Sequence, residues 1–599
     1  MQDRFPIRRL ASTLALLAAG ALVAPQAKAQ TLRPIAPDTW TATDALGRSM
    51  PVGAGIPAPR KNRYVGIFYF LWHHGPGKNE LYDNTKILAD PAHPFGPKFA
   101  FHWWGEPAVG YFLSSDAWVH RKNLQMLGDA GVDVIFFDVT NAFTYPEIVK
   151  TVCDTAEQMR AEGTKTPQIA FIVHAAPGAT TNRLYDTFYS KGLYKNLWFQ
   201  WQGKPLILGN RQEKTPGDSP LSDAANQFFT WRESWAWDPG QDKWQWMDKY
   251  PQKPAWHADP QKPEQISVSI AGHPMDTLGR SYRSAETWGQ GAEPTVDDRY
   301  RVSTSADGIQ FAQQWKRALA VDPEFIFITG WNEWIAQRFL DGGPTLYAGR
   351  PRTPGTTFFV DAFNEEFSRD AMPMKGGYAD NYYMQLAENI RKFKGAAPQP
   401  IAHGSKTISA PGAFAAWRDV QPRFLDAVGD TTHRDSDGWG AHHYTDTSGR
   451  NDITSAKVAC DAKNIAFYVH TRAALTPYTG KNWMQLLIDA DSNPKTGWNG
   501  YDFVVNSRVL SPGKTTLKRL SDSKTWTVPY RAAGNEMQVV IPRALLGLTN
   551  TRITSFDFHW VDNAPIGGEI ADWWYVGDSA PDGRFNYHYR NRASSEAGE

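Results

Sequence analysis

The sequence predicts an α/β chain, a (β/α)8 barrel of the TIM type followed by an all-β sandwich domain. Three observations predict it. From about residue 60 to 394, short β-prone runs alternate with helical stretches, the pattern of βα units around a parallel sheet. Runs such as Val134-Ile135-Phe136-Phe137 and Phe325-Ile326-Phe327-Ile328 are apolar throughout, as strands buried on both faces are. Beyond residue 412 no run reads as a long helix, and short β-prone segments recur between turn residues, which suggests a sandwich.

The strand candidates of the first region are Tyr64 to Trp72, Val132 to Asp138, Gln168 to His174, Pro205 to Gly209, Phe228 to Arg232, Ile266 to Gly272, Phe325 to Trp331 and Phe358 to Phe363. Helical periodicity marks Asp116 to Ala130, Pro146 to Glu162, Gly308 to Ala320 and Asn381 to Lys394, with Pro146 suited to a first helical turn. The barrel is therefore expected over 60–394, larger than usual because the stretches 74–115 and 236–265 are long. Residues 395–411, rich in small residues and proline, read as a linker. The sandwich is expected over 412–592, with 30–59 as an N-terminal extension.

Arg4, Arg8 and Arg9 precede the apolar run Leu14 to Val23, which ends at Ala27-Lys28-Ala29. That is the layout of a secretory signal peptide over 1–29, so an exported, periplasmic or secreted protein is expected. The run is too short to span a bilayer, and no later stretch is long and uncharged enough. The 599 residues carry 63 Lys+Arg against 62 Asp+Glu, a net charge of +1. The signal holds a net +3, which leaves −2 on the remainder. Without an excess of positive charge, nucleic acid is not an expected partner. The two cysteines, Cys153 and Cys460, are expected as buried free thiols. No phosphate-cradling glycine loop, nucleotide fingerprint or zinc-spaced His/Cys cluster is present, so no cofactor is expected for catalysis.

Aromatic residues are abundant: 25 Trp, 23 Tyr and 31 Phe. In a (β/α)8 barrel the active site lies at the carboxyl ends of the strands, and several predicted strands end in polar residues. Asp138, His174, Arg232-Glu233, His273 and Trp331-Asn332-Glu333-Trp334 follow apolar runs. Glu333, between two tryptophans, is the leading catalytic candidate, because burial beside aromatic rings suits a carboxyl to proton transfer near neutrality. Glycoside hydrolysis ordinarily uses two carboxyl groups, and the candidates for the second are Asp138, Glu106 and Glu233. Glu106 ends the aromatic-rich segment His102-Trp103-Trp104-Gly105-Glu106. Trp72, Trp103, Trp104, His174, His273, Trp331, Asn332 and Trp334 are the candidates for substrate binding, the rings to stack on sugar faces. Asn364 to Asp370 is a further acidic segment after the eighth strand candidate; a solvated loop with an internal Arg369 ion pair is its simplest reading.

Tyr64-Val65-Gly66-Ile67-Phe68-Tyr69-Phe70, the strand ending in Asp138, and above all Gly330-Trp331-Asn332-Glu333-Trp334 resemble the glycoside hydrolase family 99-like barrels. That resemblance implies a carbohydrate-active barrel with Glu333 in the site. Family 99 enzymes are endo-acting α-mannosidases with a second Glu three residues after the signature Glu. Here that position is Ala336, so the partner carboxylate is expected from elsewhere in the chain.

In the second domain, Asp489-Ala490-Asp491-Ser492-Asn493 begins like an EF-hand loop, but Pro494 and Gly500 stand where that loop needs Gly and Glu. Asp489 and Asp491 are the candidate ligands of a structural calcium, against a plain acidic turn. With Trp417, His433-Arg434-Asp435 and Trp498-Asn499-Gly500-Tyr501-Asp502, this region is similar to carbohydrate-binding family 9-like sandwiches. The similarity implies sugar-holding aromatics, with Trp439, Trp498, Trp573 and Trp574 as candidates. The expected function is an exported glycoside hydrolase acting on a polysaccharide or oligosaccharide. The alternatives are a non-catalytic carbohydrate-binding protein and, third, a polysaccharide lyase with a histidine base.

Overall fold

The computed structural model describes residues 32–592, apart from 54, 75–79, 91, 93–94, 212–217, 273–304, 341–345, 348–349, 352–356, 360–361 and 369. Seven of the eight strand candidates form one parallel sheet: β1 (Tyr64–Tyr69), β2 (Val134–Val139), β3 (Gln168–Val173), β4 (Lys204–Leu208), β5 (Thr230–Arg232), β6 (Gln265–Ser269) and β7 (Phe325–Trp331). Their order is β5-β4-β3-β2-β1-β7-β6, with Gln200–Trp201 antiparallel against β4. The result is a half-barrel-like sheet. Among the described residues, β5 and β6 share no ladder.

Residues opposed in parallel register share a face. Gly66 of β1 lies opposite Val134 and Phe327, and a Cβ on it would stand 2.4 Å from Phe136 and 2.6 Å from Phe325. Glycine is what lets those two rings meet over β1. Deeper down, Arg232 at the end of β5 donates through Nε and Nη2 to Glu264 at 2.7 and 2.6 Å. The indoles of Trp201 and Trp244 donate to the same carboxylate at 3.0 and 2.7 Å. A buried, fully hydrogen-bonded ion pair thus ties the end of β5 to the start of β6, where no ladder does.

The eighth candidate behaves differently. Thr357–Phe359 pairs antiparallel with Ile335–Leu340, which in turn pairs with Phe101–Trp103. The reason is positional, since β7 lies directly against β1 and occupies the edge an eighth strand would use.

The helices are α1 (Ala117–Ala130), α2 (Pro146–Ala161), α3 (Pro177–Leu184), α4 (Ile309–Val321) and α5 (Asn381–Lys394); all but α3 fall close to the expected periodicity. Asp116 caps α1 by accepting from the amides of Trp118 and Val119, and Gly131 ends it in the left-handed region.

The C-terminal region is one antiparallel ladder from Arg423–Leu425 through Ile453–Cys460, Asn464–Thr471 and Glu536–Pro542 to Ile553–Asp562 and Tyr587–Arg592. Asn464–Thr471 and Ile553–Asp562 are not neighbours in that ladder. Yet Phe467 meets Phe556 and Phe558 at centroid distances of 5.6 and 5.8 Å, so the sheet folds back upon itself around a shared core. Residues 395–411, expected as a linker, are partly built in: Ala402–His403 pairs with Asn591–Arg592, and Ile408 and Ala410 are buried. The described residues from Leu32 onward belong to a single compact unit. Across it, Arg434 pairs with Asp116 at 2.7 Å, and Asp380 accepts from Arg584 and from the Trp574 indole. No helix among the described residues is long and apolar enough to cross a membrane. Cys153 and Cys460 are buried and free.

Candidate active site

The site is set by the register of β1, β2, β3 and β7. Phe136 packs on Phe325 and Phe327 within the curve of the sheet. Asp138, two residues on, points to the same face because side chains alternate along a strand. Its Oδ1 accepts from the amide and hydroxyl of Thr140 at 3.0 and 2.7 Å. Asp138 is opposite Ile172, so His174 follows on that face at the end of β3. The His174 ring stacks on Trp235 with centroids 3.6 Å apart. Trp235 meets Trp246 edge-on at 5.9 Å, and Trp246 stacks on Phe68 of β1 at 6.4 Å. A continuous aromatic rail therefore crosses the strand ends beside Asp138. Trp235 is 38% exposed. Trp72, half-buried, packs on Phe70 and Phe101. Tyr145, its hydroxyl pushed up to about 12 by burial and by the charge of Asp138, accepts from Asn141 at 2.5 Å.

Glu333 follows β7 and is 6% exposed, as is Asp138. The loop that carries it is pinned on several sides. Asn332, in the left-handed region at φ 58, exchanges two hydrogen bonds with the backbone of Phe70, 2.8 Å through Oδ1 and 3.0 Å through Nδ2. The Glu333 amide donates to Asp370 at 2.5 Å, and its carbonyl accepts from the Trp104 indole at 2.9 Å. The Trp334 amide donates to His73 Nε2 at 3.4 Å; burial drives that imidazole well below its ordinary value, so it stays a neutral acceptor.

The other carboxylate candidates are differently placed. Glu106 lies between Lys375 at 2.6 Å and Lys86 at 2.9 Å. Burial alone raises its carboxyl, but the two ammonium groups outweigh it and hold the group below its usual range. Glu106 is thus a surface ion-pair hub. Glu233 is paired with Lys243 at 3.4 Å.

Four of the proposed sugar-stacking rings are interior. Trp103, Trp104, Trp331 and Trp334 have no exposed surface: Trp104 stacks on Trp334, Trp331 packs edge-on to Tyr383, and Trp103 packs on Trp439. In the β-domain, Trp439, Trp573 and Trp574 are buried and Trp498 half-buried. His273 and Arg369 lie outside the described residues. Residues missed by sequence reading are Trp246, His73 and Tyr145, whose positions depend on long loops. Asp370, read as part of a solvated loop, is fully buried and holds the Glu333 amide. Ala336 lies in Ile335–Leu340, opposite His102.

Asp489 and Asp491 are joined by Asp502, carboxylate oxygens of the three lying within 4.8 Å of one another. Burial, then the charges of Asp557, Asp502 and Asp491, push Asp489 up to about 7. A cavity of about 370 Å³ beside it is lined by Asp557, Arg584, Asn586 and His588.

No family model matches the chain, and no curated protein matches it. Two structures of a GH99 endo-α-mannosidase from Bacteroides thetaiotaomicron, one in complex with BIS-TRIS-propane, align at 14% identity. Their TM-scores are 0.31 and 0.30, over 55% and 56% of this chain and 97% and 99% of theirs. Likeness at this level assigns neither an activity nor a residue's role.

Proposed function

We propose that the chain is a glycoside hydrolase acting on a polysaccharide or oligosaccharide, with Glu333 and Asp138 as its paired carboxylates. One observation carries this reading. Two buried carboxylates end the strands on either side of β1, on the rim where the His174–Trp235 stack and Trp72 offer flat, partly exposed rings. A glycosidic bond lying along that rail meets one carboxyl able to protonate the leaving oxygen and a second to stabilise or attack the oxocarbenium-like centre. Asp138 is preferred to Glu106 and Glu233 as the partner because each of those is engaged by lysine, Glu106 by Lys86 and Lys375 and Glu233 by Lys243. The N-terminal signal pattern supports an exported location, and the Asp489, Asp491 and Asp502 cluster supports a structural calcium in the β-domain.

The test is release of reducing sugar from a glycan panel by the full chain. Glu333→Gln and Asp138→Asn are each expected to lower turnover by about 10²–10⁴-fold, the range for lost proton transfer, while Glu106→Gln stays within a few-fold. Glycan binding without turnover across the panel overturns catalysis in favour of a binding protein, and an unsaturated, ultraviolet-absorbing product points instead to a lyase.

A further inference from the structure

A second group of acids lies far from the strand ends, where α1 meets the β-domain. Asp426, Asp430 and Asp578 are all buried, and each places a carboxylate oxygen within 4.8 Å of the others. Asp582 adjoins them, sharing with Asp430 the Gln125 amide, whose Nε2 donates at 2.9 Å to both Asp582 oxygens and at 3.1 Å to Asp430.

Carboxylates gathered this way need compensation; the Ile453 amide donates to Asp578 at 2.6 Å and Asp129 shares a hydrogen bond with Asp582, but neither reaches Asp426. Among the described residues, no Lys or Arg nitrogen lies within 4 Å of the carboxylate oxygens of these four acids. Lys122 comes near but donates to the Asp430 carbonyl, and Arg33 to that of Thr454. Asp426 is the plainest case, being 0% exposed with neither carboxylate oxygen in a hydrogen bond. The Gln125 Oε1, on a side chain 3% exposed whose head lies among these acids, also lacks a partner, as does Asp430 Oδ1. An orphaned buried carboxylate is costly, and buried charges are found paired or bound to metal.

We propose that Asp426, Asp430 and Asp578, with Asp582 beside them, bind a calcium ion that joins the barrel helix α1 to the β-domain. The donors are all oxygen, with no histidine or thiol among them, which suits a hard cation and not zinc. Oxygens on opposite sides of a calcium stand about 4.6–5.2 Å apart, twice the bond length of roughly 2.3–2.6 Å, and the observed spread fits inside that span. A cavity of about 280 Å³ lined by Asp129, Ala427 and Asp582 lies beside the group. The site is distinct from the Asp489 loop and independent of the hydrolase reading.

The experiment measures calcium on the full chain, by metal analysis after gel filtration and by calorimetric titration of EDTA-stripped protein with CaCl2. To remove the loop cluster, Asp491→Asn with Asp502→Asn serves as background; that variant is expected to retain one equivalent. Asp426→Asn on the wild-type chain keeps the side-chain shape and mimics a protonated acid, so it folds with or without a cation. It is expected to bind one equivalent fewer than wild type and to lose most of the melting-temperature rise that CaCl2 gives the stripped protein. An Asp426→Asn chain with the wild-type calcium count overturns the proposal. So does a loop-deleted background that takes up no calcium, which leaves shared protons as the way these acids are neutralised.

Discussion

The Trp104 indole lies flat on Trp334, centroids 4.1 Å apart and planes 13° from parallel, while its N–H donates to the carbonyl of Glu333. One interior side chain therefore sets both the ring beside the candidate acid and the backbone that carries it. Trp104→Phe keeps an aromatic partner for Trp334 but removes the donor, a net loss of about 0.5–1.5 kcal/mol. Trp104→Ala adds a cavity and costs about 3–5 kcal/mol. Urea unfolding of the two variants separates the contributions; a Trp104→Phe chain as stable as wild type leaves the hydrogen bond with no role.

The Arg232–Glu264 pair offers a test of how the sheet is held between β5 and β6. Glu264→Gln leaves the buried Arg232 guanidinium with only the longer contact to Asp242 at 3.6 Å, which should destabilise by up to about 3–5 kcal/mol. Replacing both residues by leucine is expected to cost much less than Arg232→Leu and Glu264→Leu together. Additive losses in this double-mutant cycle would show that the two side chains do not act as a unit.

Trp235 is the partly exposed ring best placed to meet substrate. Aromatic contacts are worth about 0.5–1.5 kcal/mol, so Trp235→Ala should raise KM several-fold with kcat nearly unchanged. Steady-state kinetics on a cleaved glycan decide it, and an unaltered KM removes Trp235 from the binding surface.

Asp489 predicts a pH dependence. Its carboxyl, raised from an ordinary 3.8 to about 7, binds a proton more readily in the folded chain than in the unfolded one. Its contribution to stability in chelator is therefore full below about pH 4 and lost as the pH rises through 7, and is read as the difference between wild type and Asp489→Asn, since Asp426, Asp578 and Asp582 are raised as well. Added CaCl2 is expected to flatten that decline if the loop holds the ion. Melting curves from pH 4 to 8, with and without calcium, measure both effects; equal slopes in the two series argue against calcium in the loop.

The parallel strands were legible because burial on both faces writes itself into a run such as Phe325-Ile326-Phe327-Ile328. One helix start was legible through local chemistry, Pro146 in a first turn, whereas the role of Asp116 as a cap emerged only with the fold. Phe358 to Phe363 misled because β-propensity is local, whereas the place it was expected to fill is taken by β7, a fact of pairing across the chain. The tryptophans flanking Glu333 misled for a related reason: a ring next to a polar residue reads alike whether it faces solvent or the interior. Asp370, Trp246 and the acids around Asp426 come from separate segments, and only the folded chain brings each beside its partners.

That β1 is held between β2 and β7 bears on how the molecule forms. The residues that lock its far edge, Asn332 against Phe70, are 262 positions apart in sequence. Until the later strand is in place, β1 offers an open edge of unpaired amides and carbonyls to whatever is nearby. Such remote pairing makes for slow folding and an aggregation-prone interval. A chain cut short before residue 325 would therefore lack both the candidate acid and the strand that shields β1.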